Sequence, residues 1–189
     1  MSILSYDGDD RVMAFIDLRN MTGSVQVDAG FTRFDFVEMT RHLRGPRKLV
    51  GAYIFDSKGI LDSGDSSRRF HDYLRYKGFR VMVRDAYDPD RDEQKEVDVA
   101  MACKMVVHAL KDHYDVAIVV SGDRDFIPAV QEVQAAGKRV EIAAFDNHVS
   151  QEMVRAADLF HRLETVPLLT MSNPVPEVPV GTVDEGGDS

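Results

Sequence analysis

With a single cysteine in 189 residues, this chain has no disulfide framework and is not a crosslinked secreted scaffold. No apolar stretch approaches the roughly 20 residues that span a bilayer, and no charged, apolar and small-residue leader pattern follows Met1. A cytoplasmic protein with no membrane role is the expectation. The six histidines are scattered, without the i, i+4 pairing of a zinc-binding helix, so no zinc site is expected. His108 and His113 read as surface residues at a helix end, and Cys103 as core. The phosphate-cradling Gly-x-x-x-x-Gly-Lys-Ser/Thr loop and the dinucleotide glycine fingerprint are both missing, which speaks against NTP and NAD binding.

A surplus of positive charge is also lacking, since the formal net charge is −9. Four acids (Glu177, Asp184, Glu185 and Asp188) lie in a C-terminal stretch without Lys or Arg, leaving −5 on the rest. The basic residues cluster as Arg41, Arg44, Arg47 and Lys48, then as Arg68, Arg69, Arg75, Lys77, Arg80 and Arg84. Two readings of these stretches stand: solvated helix faces and strand ends, or a track for phosphates.

What the chain does have is 44% hydrophobic residues, enough for one domain with a core. Residues 1–10 are polar and acidic and are expected to form a mobile arm. Residues 165–189, acidic, with Pro and Gly and little to pack, are expected to be a disordered tail. Between them, residues 11–164 alternate apolar strands with helices. Strands are expected at 11–16, 48–55, 79–83, 115–120 and 139–145, with an edge strand at 160–163. Helices are expected at 31–44, 66–77, 95–111, 126–136 and 150–157. Such alternation predicts an α/β fold on a mainly parallel sheet with right-handed crossovers.

Two of these strands end in acids. The run Asp115 to Val120 leads into Ser121-Gly122-Asp123-Arg124-Asp125, and like charges so close at the mouth of a sheet are costly unless a cation neutralises them. The run Arg11 to Ile16 ends at Asp17 and Asn20. Buried strands delivering acids to their carboxyl ends is how an open α/β sheet builds a site at a crevice. A third acid, Asp98, interrupts the apolar Val97, Val99, Ala100 and Met101. It fits a helix-start acid paired with Lys95 three residues earlier, and it fits a metal ligand.

Phe15-Ile16-Asp17-x-x-Asn20, Lys95-x-Val97-Asp98-Val99 and Ser121-Gly122-Asp123-x-Asp125-Phe126-x-Pro128 together resemble the NYN domain, in particular its LabA-like branch. The resemblance covers residues 11–164, with the blocks in the family's order and spacing. NYN domains belong to the PIN-like nucleases, so the resemblance implies a three-layer α/β/α fold around a mainly parallel sheet. It also implies an acidic pocket that binds Mg²⁺ or Mn²⁺ and cleaves RNA. Carried onto this chain, Asp17, Asp98, Asp123 and Asp125 are the implied metal set, with Asn20 and Ser121 as polar helpers. Leu18 stands where Gly is frequent in the family and Arg124 where a small residue is frequent, and neither change removes a ligand.

Hard divalent ions prefer carboxylate and water oxygens, and phosphodiester hydrolysis needs an activated water and neutralised phosphate oxygens. Asp17 and Asp123 are expected to bind the principal metal, and Asp98 and Asp125 a second metal or the attacking water. Asn20 would fix a carboxylate or the scissile phosphate, and Ser121 the loop or a metal-bound water. Lys95 would touch a phosphate oxygen or pair with Asp98. The expected partner is RNA in single-stranded or flexible regions, and a homodimer is possible. A catalytically weak RNA-binding or regulatory module would keep the same residues. Two other phosphoryl-transfer folds fit less well. Haloacid-dehalogenase-like phosphatases use Asp-x-Asp at the first strand, where position 19 here is Arg, and Toprim-type sites place Glu where this chain has Asp17.

Overall fold

Period-2 alternation explains why β1 (Arg11–Asp17) is apolar almost throughout: Val12, Ala14 and Ile16 join one buried cluster while Met13 and Phe15 join another on the opposite face of the sheet. β4 (Val116–Val120) divides in the same way, Val116, Ile118 and Val120 against Ala117 and Val119. Strands buried on both faces need helices over both. The computed structural model describes residues 8–21, 34–57, 65–84 and 93–166. Among these, β1, β2 (Lys48–Ser57), β3 (Arg80–Arg84), β4, β5 (Arg139–Ala144) and β6 (Leu159–Arg162) form one sheet in the order β3-β2-β1-β4-β5-β6, every neighbouring pair parallel.

Helices α1 (Phe36–Arg44) and α2 (Asp65–Tyr76) cover the first face through Met39, Leu43 and Leu74. Helices α3 (Glu93–Leu110), α4 (Ile127–Ala135) and α5 (Gln151–Ala156) cover the second through Met101, Met105, Val130, Val133 and Met153. The three-layer α/β/α architecture is therefore the one expected, and differences are confined to element ends. α1 begins at Phe36 because Asp35 caps it, its carboxylate accepting from the N–H groups of Val37 and Glu38 at 3.0 Å each. α4 begins later than expected because a 3-10 turn, Arg124–Phe126, precedes it. Residues 1–7, 31–33 and 167–189 of the expected arm, first helix and tail lie outside the described residues. The Asp10 carbonyl accepts from the Lys48 N–H at 3.1 Å, and Val166 is buried with Leu163. Among the described residues no helix is long and apolar enough to cross a membrane.

Arg47 fits neither reading of its basic stretch, being neither a solvated charge nor a phosphate contact. It is fully buried and grips Glu141 of β5 with two hydrogen bonds, Nη1 to Oε1 at 2.7 Å and Nη2 to Oε2 at 3.0 Å. Nη2 also donates to the Leu43 carbonyl at 2.8 Å and Nε to the Arg44 carbonyl at 2.9 Å, which satisfies orphan acceptors at the end of α1. On its other side Glu141 meets His161 Nε2 at 2.9 Å and Arg139 Nη2 at 3.2 Å. Burial pushes the Glu141 carboxyl up, but the hydrogen bonds from His161 and Arg47 and the Arg47 charge outweigh it and hold the group well below the usual carboxylate range.

Cys103 is exposed rather than core, because the buried stripe of α3 runs through Val97, Met101, Met105 and Ala109 and position 103 lies across the helix from it. His108 is half-buried, with Nε2 at 2.9 Å from the Tyr53 hydroxyl and Nδ1 at 2.8 Å from Nδ1 of the exposed His113.

At its amino end, β1 is clamped to the start of β4. Arg11 donates from Nε and Nη2 to the Asp115 carboxylate at 2.9 and 2.7 Å, and its backbone N–H adds a third bond at 2.8 Å. Hydrogen bonding from Arg11 holds the Asp115 carboxyl down at about 2, against a smaller opposing push from burial. A carboxylate depressed by folding contributes stability above its unfolded pKa of about 3.9 and loses it as pH falls through the folded value. Asp115→Asn is therefore expected to flatten the stability curve between about pH 4 and about pH 2, measured by chemical denaturation at stepped pH.

Candidate functional site

A parallel sheet whose strand order reverses between β1 and β4 opens a crevice beyond the carboxyl ends of those two strands. Asp17 continues the alternation of Met13 and Phe15, and Ser121 that of Ala117 and Val119, so both belong to the face covered by α3 and α4. Hydrogen bonds lace the two strand ends together. Asp17 accepts from the Asn20 N–H at 3.0 Å on one carboxylate oxygen and from the Ser121 hydroxyl at 3.2 Å on the other. Asn20 Oδ1 in turn accepts from the Gly122 N–H at 3.0 Å, and Ser121 Oγ accepts from the Asp123 N–H at 3.3 Å. Beyond Asp123 the chain enters the 3-10 turn, which the Asp123 carboxylate caps by accepting from the Asp125 N–H at 2.9 Å.

Asp17 is only 4% exposed. Burial pushes its carboxyl above the ordinary range and the Asp123 charge pushes the same way, while the N–H groups of Asn20 and Arg19 and the Ser121 hydroxyl oppose them. Two acids are thus held against each other where burial already penalises charge.

The close approach of another loop explains Gly122. A Cβ at this position would lie 2.0 Å from the His148 carbonyl oxygen and 2.9 Å from Val149 Cα. The turn between β5 and α5 therefore rests directly on the backbone that links Ser121 to Asp123, with the Ser150 N–H donating to the Gly122 carbonyl at 3.4 Å.

Of the six residues nominated from the sequence, Asp17, Asn20, Ser121 and Asp123 form one hydrogen-bonded unit. Asp125 joins it through its backbone, and its side chain is exposed at the rim. Asp98 is half-buried on α3, three and seven residues before the buried Met101 and Met105 and hence on their side of the helix. Because α3 leads from the end of β3 to the start of β4, its first turns lie at the same carboxyl edge as Asp17. The Lys95 side chain lies outside the described residues. Among the described residues, no group of three or more His, Cys, Asp and Glu stands in an ion-holding arrangement. The donors that do converge are carboxylate, amide and hydroxyl oxygens, a set suited to Mg²⁺ or Mn²⁺ rather than to Zn²⁺.

Neighbours on β2 escaped the sequence reading. Arg19 Nε donates to the Ser57 carbonyl at 2.7 Å, and the buried His71 on α2 meets Asp56 at 2.7 Å. Asp56 follows an apolar run as Asp17 does, which was a usable signal. Nothing in the linear pattern ties it to His71.

The NYN domain family matches residues 11–164. The low amplitude and bright protein LabA of Synechococcus elongatus is 25% identical over 163 residues, which cover 82% of this chain and 85% of LabA. The crystal structure of a protein of unknown function from Vibrio parahaemolyticus superposes with a TM-score of 0.72 at 25% identity, over 88% of this chain and 100% of that one. The family match spans both strand ends of the crevice and the helix that bears Asp98, and the chain belongs to the NYN domain family.

Proposed function

We propose that this protein is a divalent-metal-dependent ribonuclease acting on single-stranded or flexible RNA at the crevice between β1 and β4. The carrying observation is Asp17, buried beside Asp123 at the switch point and held by Asn20 and Ser121. NYN domains fall within the PIN-like nuclease superfamily, whose members typically use divalent metals, which supports the same reading. Asp17 and Asp123 would hold Mg²⁺ or Mn²⁺, with Asp98 and Asp125 completing the set. The bound ion supplies charge neutralisation at the phosphate oxygens and a water acidic enough to attack.

The chain's own groups do the positioning. The Ser121 hydroxyl donates to Asp17 and accepts from Asp123, which fixes its rotor and aims the Asp17 carboxylate. Asn20, by accepting from Gly122, keeps the ends of β1 and β4 at constant separation. Asp125 is at the solvent rim, where a carboxylate orients incoming water or receives its proton.

A cleavage assay on single-stranded RNA with Mn²⁺ tests this. Loss of a partner that merely orients a metal ligand costs about 10–100-fold, so Asp123→Asn is expected to lower the rate by at least about 100-fold, with an unchanged circular dichroism spectrum. Cleavage that survives both Asp123→Asn and Asp17→Asn would remove the crevice from the chemistry. One observation favours a second reading, an RNA-binding module with little turnover: no three carboxylates stand ready for an ion among the described residues. RNA retained without cleavage, equally by wild type and by Asp123→Asn, would support that alternative.

A further inference from the structure

At the amino ends of β2 and β3, the opposite edge of the sheet from Asp17, a cavity of about 340 Å³ opens between α1, β2 and the turn from α2 into β3. Arg41, Arg44, Lys77 and Arg80 line it, and no acid does. Several cations elsewhere in the fold are neutralised: Arg11 with Asp115, Arg47 with Glu141, Arg75 with Asp72 and Lys138 with Asp112. At the cavity only Arg41 has such a partner among the described residues, in Glu38.

Neutral groups hold the other three. Arg44 Nη1 donates to the Arg47 carbonyl at 2.9 Å. Arg80 Nη1 donates to the Tyr53 hydroxyl at 2.9 Å, and its guanidinium carbon is 5.1 Å from the Tyr53 ring centroid. Lys77 Nζ sits 5.4 Å from the Tyr73 ring centroid and 5.7 Å from that of Tyr76. These contacts fix the positions of the charges without cancelling them, so an anion would find them already ordered. In a chain of net charge −9, Arg44 and Lys77, two uncompensated cations at one cavity, are not a by-product of a basic composition.

Two further features define the ligand. Thr40 lines the same cavity and has a buried hydroxyl with no hydrogen-bond partner among the described residues, a donor that rotation about χ1 would offer to a bound oxygen. Leu49, 37% exposed, also lines the cavity and presents apolar surface to a ring. The volume lies at the small end of the roughly 300–1,000 Å³ of ligand pockets. We propose that this cavity binds a phosphorylated small molecule of nucleotide size, with Arg44 and Lys77 on its phosphates. It is separate from the acidic crevice and does not rest on the nuclease reading.

Calorimetric titration of the full chain with ADP, and separately with inorganic pyrophosphate, at low salt and without divalent metal, tests the proposal. Saturable binding at one site is expected for ADP. Lys77→Glu and Arg44→Gln are each expected to weaken it by at least about tenfold, the equivalent of about 1.4 kcal/mol. Arg68→Glu, an exposed charge change on α2 away from the cavity, and Asp123→Asn are expected to leave it unchanged. The proposal is overturned if neither probe saturates, if binding ignores both cavity variants, or if only RNA oligonucleotides bind. It is equally overturned if ADP binds only after Glu177, Asp184, Glu185 and Asp188 are neutralised together, a result that would assign the cavity to the chain's own acidic C-terminal segment.

Discussion

Arg47→Ala is expected to lower the unfolding free energy by about 3–5 kcal/mol, the usual consequence of leaving one charge of a buried pair uncompensated. The loss has two parts. Glu141 would keep His161 and Arg139 but lose its two-point partner, the Leu43 carbonyl at the end of α1 would lose its side-chain donor, and the Arg44 carbonyl would keep only the backbone N–H of position 47. Replacing both partners by apolar residues of similar volume, Arg47→Met with Glu141→Leu, is expected to recover much of the loss, because the attraction within a buried pair repays little more than its desolvation. Urea denaturation of the single and double variants checks this. A double variant as unstable as the summed singles would show that the pair is not the source of the effect.

Gly122→Ala is expected to cost about 3 kcal/mol, the upper part of the range for overpacking. A contact of 2.0 Å with a backbone oxygen cannot be relieved by turning a side chain. Either the turn between β5 and α5 lifts away or the link from Ser121 to Asp123 moves, and both alternatives act on the crevice. Thermal denaturation should show the loss. Under the proposed function, RNA cleavage should fall even at temperatures where Gly122→Ala remains folded, which separates displacement of Asp123 from general instability. A variant with wild-type stability would mean that the turn yields freely.

How far the molecule could be read from its sequence depends on the range over which each feature is determined. β1 and β4 were legible because strands buried on both faces leave unbroken apolar runs, and Asp17 and Asp123 stood out as acids where those runs stop. Boundaries shifted wherever a cap or short turn intervened, as at Asp35 and Arg124. Arg47 was misread because its partner is 94 positions away, and a basic cluster in sequence says nothing of which member turns inward. Cys103 was misread because α3 has apolar residues around most of its circumference, so periodicity alone does not tell its buried stripe from its exposed one. Asp98 is half-buried, which agrees with its being compatible in sequence with two roles.

The lacing of β1 to β4 also sets a schedule. The strands are immediate neighbours in the sheet, yet β2, β3 and helices α1, α2 and α3 lie between them along the chain. A polypeptide still emerging from the ribosome carries Asp17 well before Asp123. Under the proposed function, an ion that requires both carboxylates would find nothing to grip on the growing chain until β4 has joined β1.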